Sequence, residues 1–298
     1  MRFGLTVIMN FRSSVYTLID FPFRLRNIIR RYLRKMELFS NSTILSDSQV
    51  TFYEQSVDLI TSSTDKFKQF RRLYDYREIL EHVDFNLGKN YLSRITDIDP
   101  TILSYLKDFK QNDLVGKPRR LNFQGVGVIS PTTIRYISVA AEIKNLFGSL
   151  GQSSIVEIGG GYGGQCLILN KIGYFKQYTI FDLPKVQELI SSYLEIHHIN
   201  NVNYPREIEV PNSKYDLVIS NYAYSELSRH TQLDYLEKIL MNSRNGYMIM
   251  NSGDGNKSGR STGKLSLQEI LDRIPNARVL PEIPKTGPDN YVLVWTES

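Results

Sequence analysis

Ser154-Ile155-Val156-Glu157-Ile158 is a short β-branched run that ends beside an acid, and five glycines follow within the six positions from Gly159 to Gly164. An apolar-periodic segment, 163–171, begins at once. Strand, glycine turn and helix in this order build the ligand end of a doubly wound sheet. Glycine lets the backbone approach a ligand where a Cβ would collide, and the first turn of the helix faces it with unpaired N–H groups.

The pattern downstream repeats the theme. Strands are expected at 154–158, 178–182, 202–205, 215–220 and 246–251, with helices at 163–171, 184–198, 231–242 and 266–273. Such alternation means a parallel sheet covered on both faces. The end departs from it. Ala277 to Pro281 and Tyr291 to Trp295 are two strands joined by a Pro/Gly-rich loop, so the last strand should run antiparallel. The expected class is α/β, a Rossmann-like doubly wound sheet with a C-terminal antiparallel hairpin and an N-terminal helical region.

Upstream, residues 41–53 are rich in Ser, Thr and Asn and read as a linker. Residues 54–115 read as helical, with Val57, Ile60, Phe67, Phe70, Leu73, Ile79, Leu80 and Val83 at apolar positions. Asp99-Pro100 starts another helix, and Gly116-Lys117-Pro118 breaks it. Gly125 to Pro131 reads as a loop, with Ser130 capping a helix over 131–147 that has Pro131 at its first position. The expected division is a helical region or cap over 1–120 and a sheet domain over 121–298, for which 298 residues suffice.

Charge is unevenly placed. Residues 1–40 carry eight basic and two acidic side chains, a net +6 that exceeds the +5 of the whole chain and leaves the remainder at −1. The sheet domain therefore lacks the basic surface that nucleic acid requires, and no nucleic-acid partner is expected. Phe21 to Phe39 interleaves apolar residues with arginines. It reads either as a peripheral contact with an anionic membrane surface or a partner, or as a solvated face packing on its own domain. The single cysteine, Cys166, excludes a disulfide framework and a cysteine zinc site, and four histidines show no ligand spacing. No metal is expected, and the compartment is expected to be reducing and cytoplasmic.

Gly159-x-Gly161-x-x-Gly164 satisfies the dinucleotide fingerprint as a string, and Asp182 follows at the spacing of a ribose-binding acid. An NAD enzyme and a methyltransferase both remain open at this level. Three features separate them. Glu157 precedes the first glycine, where it would offset the cationic amino group and sulfonium of S-adenosylmethionine but repel a pyrophosphate. The strand from Tyr215 to Ser220 runs into the polar and aromatic cluster Asn221-Tyr222-Ala223-Tyr224-Ser225-Glu226. The terminal hairpin then inserts an antiparallel strand.

Taken together, these residues resemble a class I S-adenosylmethionine-dependent methyltransferase over roughly 130–298. A closer resemblance is to the bacterial sugar O-methyltransferases. It is carried by Ser130 to Tyr136, Glu157 to Gln165, Phe181-Asp182-Leu183-Pro184, Ser220 to Leu227 and Pro284 to Trp295. The resemblance implies S-adenosylmethionine as cofactor and a sugar or glycoconjugate hydroxyl as methyl acceptor. A small-metabolite methyltransferase, or a non-catalytic cofactor-binding protein, are the alternatives.

On that reading Gly159, Gly161 and Gly163 line the methionine and ribose part of the cofactor. Glu157 meets its amino group, Asp182 its two ribose hydroxyls, Leu183 its adenine, and Asn221 and Tyr222 its methionine end or the acceptor. Asp182 is also placed to cap the helix that opens at Pro184. Arg135, Tyr136 and Tyr224 are expected on the acceptor side, covering the cofactor or binding an acidic sugar. A hydroxyl is a weak nucleophile, so a base is needed. Glu226, His230 and Asp254 are the candidates. Glu226 and His230 would share a face if one helix carried both; otherwise His230 is a solvated residue beside Arg229. Asp254 sits on the Gly253–Gly263 loop.

Overall fold

A hairpin precedes the sheet: β1 (Leu121–Phe123) and β2 (Gly127–Ile129) pair antiparallel. This corrects the expected loop over 125–131. Phe123 and Ile129 turn inward while Asn122 and Val128 face solvent, an alternation too short to register as a pattern. Gly125 and Gly127, at φ +83° and +74°, supply the turn. The structure is a computed structural model and describes residues 56–149, 151–173, 175–251, 263–274 and 276–297. These belong to the compact unit Val50–Ser298. The basic segment within 1–40 and the loop with Asp254 lie outside the described residues.

The helices used below are α1 (Tyr74–Leu80), α2 (Phe85–Ile98), α3 (Pro131–Phe147), α4 (Gly164–Lys171), α5 (Pro184–Ile196), α6 (Ala223–Glu226), α7 (Arg229–Tyr235) and α8 (Leu267–Arg273). The strands are β3 (Ser153–Ile158), β4 (Phe175–Phe181), β5 (Val202–Asn203), β6 (Tyr215–Asn221), β7 (Ser243–Met250), β8 (Arg278–Pro281) and β9 (Tyr291–Thr296). They form one seven-stranded sheet in the order β5-β4-β3-β6-β7-β9-β8. Neighbours from β5 to β7 are parallel, and β9 is antiparallel to both β7 and β8. This is the expected Rossmann-like doubly wound fold with a terminal antiparallel hairpin.

Strand side chains alternate between faces, so each strand feeds two cores. Ile155, Ile180, Leu217, Ile219, Tyr247 and Ile249 meet α3, α4 and α5 through Ile134, Ile137, Leu167, Leu189 and Ile190. Val156, Ile158, Val218, Met248 and Met250 meet Leu236, Ile239, Leu240 and Ile270 on the other side. The hairpin closes tightly on β7. A Cβ at Gly246 would stand 2.2 Å from the Trp295 ring, so only glycine fits there.

The upstream helical region is fastened to the turn by buried polar groups. The Arg71 guanidinium has no solvent exposure. It donates to the Glu81 carboxylate, to the Asn112 carbonyl at 2.6 Å and to Ser130 Oγ at 3.4 Å. Asp113 Oδ1 lies 3.7 Å from its Nη1. Its cation also sits 4.6 Å from the centroid of the Tyr162 ring. Tyr162 belongs to the glycine turn, and its hydroxyl accepts from Asn112 Nδ2 at 3.0 Å. Tyr193, on α5, donates to Asn112 Oδ1 at 2.5 Å. Removing one member of a buried ion pair strands the other, at a cost of about 3–5 kcal/mol. Arg71→Ala should therefore lose about that much stability, read as a shift of the urea midpoint with the slope unchanged.

Candidate functional site

The C-terminal ends of β3, β4, β6 and β7 meet where strand order reverses, between β3 and β6. Ligands of open α/β sheets bind at this point. The turn after β3 is held by Gly159 N–H donating to the Phe181 carbonyl at 2.9 Å and Gly163 N–H donating to the Gly160 carbonyl at 2.8 Å. Gly159, Gly161 and Gly163 adopt φ of +81°, +62° and +92°, a region closed to most side chains.

Space explains the rest of the turn. A Cβ at Gly159 would stand 2.1 Å from the Ala223 Cβ, and one at Gly160 would stand 2.6 Å from Ile180. At Gly161 the nearest atom is Leu80, at 3.5 Å. Packing of the turn on its own sheet and helices therefore demands several of these glycines by itself. The string of glycines does not by itself choose a ligand.

Glu157 is 1% exposed and accepts from the Tyr178 hydroxyl at 3.0 Å. Burial pushes its pKa up to about 8; the Tyr178 hydrogen bond lowers it and the charge of Asp182 raises it further. Asp182 accepts from Leu183 N–H at 2.8 Å and from Gly161 N–H at 3.3 Å. Burial pushes it up to about 6 against these backbone bonds. Leu183, not Asp182, is the N-cap residue of α5. Among the described residues no Lys or Arg forms an ion pair with either acid. Two buried carboxyls beside the turn are thus without a positively charged partner among the described residues.

Across the reversal point, Asn221 ends β6 with a buried Oδ1 that has no hydrogen-bond partner. Tyr222 follows at φ +73°, a strained backbone worth about 1–3 kcal/mol for a residue with a side chain. Its N–H donates to the Ile249 carbonyl at 2.8 Å, and its hydroxyl meets Glu282 and Thr286. Tyr224 is buried, and its hydroxyl donates to the Gln232 carbonyl at 3.1 Å. Tyr136 is buried against Tyr162, and the Arg135 guanidinium lies 5.1 Å from the Tyr136 ring centroid.

The base candidates are pulled apart. Glu226 closes α6, Leu227 is extended and Ser228 caps α7. Glu226 and His230 therefore stand on different helices and do not share a face, which corrects the spacing argument. Ser228 accepts from Thr231 N–H, and that new cap is what interrupts the helix. Glu226 stays at the rim, accepting from Asn251 Nδ2 at 2.8 Å. Desolvation pushes its pKa up, while Asn251 and Lys264 lower it. His230 is 90% exposed and lies 3.6 Å from Asp234. Three residues that no sequence pattern marks also stand around Tyr222: Tyr91, on α2, Glu282 and Thr286. The last two follow β8 within the Pro/Gly-rich connection, where no periodicity marks them.

Neither a family model nor a curated protein matches this chain. Among solved structures it is similar to the methyltransferase domain of bacterial CtHen1-CN, with 16% identity over 54% of this chain and 97% of that one and a TM-score of 0.42. It is also similar to an S-adenosylmethionine-dependent methyltransferase from Clostridium acetobutylicum, with 10% identity, 55% and 90% coverage and a TM-score of 0.41. A third is a SAM-dependent methyltransferase from Aquifex aeolicus, with 15% identity, 54% and 88% coverage and a TM-score of 0.40. The fold itself rests on the strand order and register of this chain.

Glu157 makes a pH prediction. Its folded pKa lies above the ordinary glutamate value, so the folded state holds the proton more tightly. That stabilisation is full below the ordinary value and is lost as pH rises toward about 8. Glu157→Gln has no proton to lose. Relative to wild type, it should gain roughly 2 kcal/mol or more between pH 5 and pH 9, measured by urea unfolding at both values.

Proposed function

We propose that this protein is an S-adenosylmethionine-dependent O-methyltransferase whose acceptor is a hydroxyl of a sugar or glycoconjugate. The observation that carries the cofactor is the pair Glu157 and Asp182, both pushed upward in pKa beside the glycine turn. A ligand with a cationic end and a ribose diol relieves both acids. A pyrophosphate would add negative charge to them. The residues present therefore fit the sulfonium cofactor and not a dinucleotide. The acceptor class rests on the resemblance noted in the sequence.

In this reading Asp182 accepts from the ribose hydroxyls, because a carboxylate takes two donors side by side. Glu157 offsets the amino group, and the buried Oδ1 of Asn221 offers a further acceptor at the same edge. Leu183 stands beside Asp182 for the adenine. The cofactor, when bound, supplies a methyl group on a good leaving group, and the reaction is a displacement at carbon. The protein must align the acceptor oxygen with that carbon and remove its proton. Glu226 is the base we favour over His230, since it joins the strand ends through Asn251 and is held at a raised pKa. The helical region serves as the cap, with Leu80 lying against Gly161.

Two measurements test this. Calorimetry should show binding of S-adenosylmethionine and none of NAD, with Asp182→Ala weakening the former about tenfold or more; binding of NAD alone would sink the reading. Glu226→Gln should keep cofactor affinity within about twofold while turnover falls about 10²-fold or more. Wild-type turnover should fall with decreasing pH at a point above the ordinary glutamate pKa, because Glu226 must be ionised to act. An unchanged rate in Glu226→Gln removes it as the base.

A further inference from the structure

Arg135 carries a buried positive charge with no negative partner. It is 6% exposed. The groups around its guanidinium are the aromatic hydroxyls of Tyr136, Tyr91 and Tyr222, and among the described residues no carboxylate pairs with it. Arg71 makes the contrast, since its buried charge is met by Glu81 and Asp113. Burying an unpaired charge is costly, and phenols do not neutralise it. The nearby Glu282 does not supply the missing charge. Its Oε1 accepts from the hydroxyls of Tyr222 and Thr286, and its Oε2 accepts from Thr286 N–H at 2.8 Å.

The position of Arg135 in the fold indicates what the partner belongs to. Arg135, Ser138, Val139 and Glu142 recur at i, i+3, i+4 and i+7 on α3, so they share one helical face. That face lines a seam against α2 and the β8–β9 connection. One small cavity in the seam is lined by Tyr91, Ser138, Val139, Glu142, Tyr247 and Glu282 among others; Arg135 is not itself in its wall but stands beside it through Tyr91. A second, of about 140 Å³, shares Glu142 with it and adds Arg94, Asn145 and Leu280. Glu142 is itself paired, with Arg94 at 2.8 Å and with the Tyr247 hydroxyl. At the glycine turn Glu157 is influenced by Tyr178 and Asp182, and Asp182 by the N–H groups of Leu183 and Gly161, not by this group. The unpaired cation and the unpaired acids are thus two separate poles of one sheet edge. The acids suit the cationic cofactor, and the cation suits the other reactant.

We propose that Arg135, with the hydroxyl of Tyr91 beside it, is the carboxylate-recognition site for the acceptor, which is therefore an acidic, hydroxyl-bearing molecule such as a uronic or sialic acid residue. This rests on the methyltransferase reading and narrows its acceptor class. The guanidinium offers a planar fork of donors that matches a carboxylate.

The test uses the full chain with S-adenosylhomocysteine present and binding read by saturation-transfer NMR and calorimetry. The probes are glucuronate, galacturonate and N-acetylneuraminate against glucose, galactose and N-acetylglucosamine. At least one acidic probe should bind tenfold or more tightly than every neutral one. Arg135→Gln should remove that preference, and Tyr91→Phe, a milder change, should reduce it severalfold. S-adenosylmethionine affinity should stay within about twofold in both variants. Neutral probes binding as well as acidic ones in the wild type would overturn the proposal whether or not the variants fold. So would a loss confined to S-adenosylmethionine affinity in Arg135→Gln, which would assign the arginine to the cofactor's own carboxylate. Failure of the parent reading looks different: no S-adenosylmethionine binding, with an Arg135-dependent preference for acidic probes intact.

Discussion

The glycine turn is held from outside the sheet, by a guanidinium that water never reaches. Arg71 lies over the ring of Tyr162, and Asn112 reaches both the Tyr162 and the Tyr193 hydroxyls. A turn with this many positive-φ glycines has a large conformational freedom to lose on folding. The side chain planted in its middle is what allows neighbouring elements to hold it. Because Asp113 also accepts from the N–H of Ser130 and the hydroxyl of Thr133, the same cluster positions the first turn of α3. The loop and the helix carrying Arg135 are thus referenced to one buried point.

Charge is then distributed along the sheet edge in a way that folding alone does not reward. Glu157 and Asp182 are raised in pKa at one place, and Arg135 lacks a counter-ion at another. The chain could have paired such groups with each other, as it does at Arg71 with Glu81 and at Arg94 with Glu142. Keeping them apart forgoes that attraction and leaves two environments of opposite preference. A bound pair of reactants with opposite charges would satisfy both at once. The strained backbone of Tyr222 lies on the Arg135 side, just past the end of the strand where the sheet reverses its winding.

Much of this was legible from the chain alone. Each strand from β3 onward was expected within a few residues of where it lies: the central strands are buried on both faces and read as apolar runs, and Pro and Gly bound the terminal hairpin. Asp182 stood out as the acid that ends the second strand, and its bonds to the Leu183 and Gly161 N–H groups tie it to the turn. The break between Glu226 and His230 was not. It depends on whether Ser228 ends one helix or begins another, and a single hydroxyl capping Thr231 decides that. The β1–β2 hairpin escaped because three-residue strands carry no period. Glu282 and Tyr91 escaped because their importance comes from meeting each other's neighbourhood across nearly the whole sheet domain, and no local spacing encodes that.

The anchoring of the turn also bears on how the protein is made. Tyr193 follows Asn112 by 81 residues in the chain. At synthesis rates of about 5–20 residues per second, that separation corresponds to roughly 4–16 s on the ribosome. Through that interval the cluster lacks the Tyr193 hydroxyl, and Tyr162, 50 residues after Asn112, is its first partner from the turn to emerge. The helical region therefore emerges as a waiting half-socket. It closes only when α5 arrives, which couples completion of the glycine turn to synthesis of the first half of the sheet.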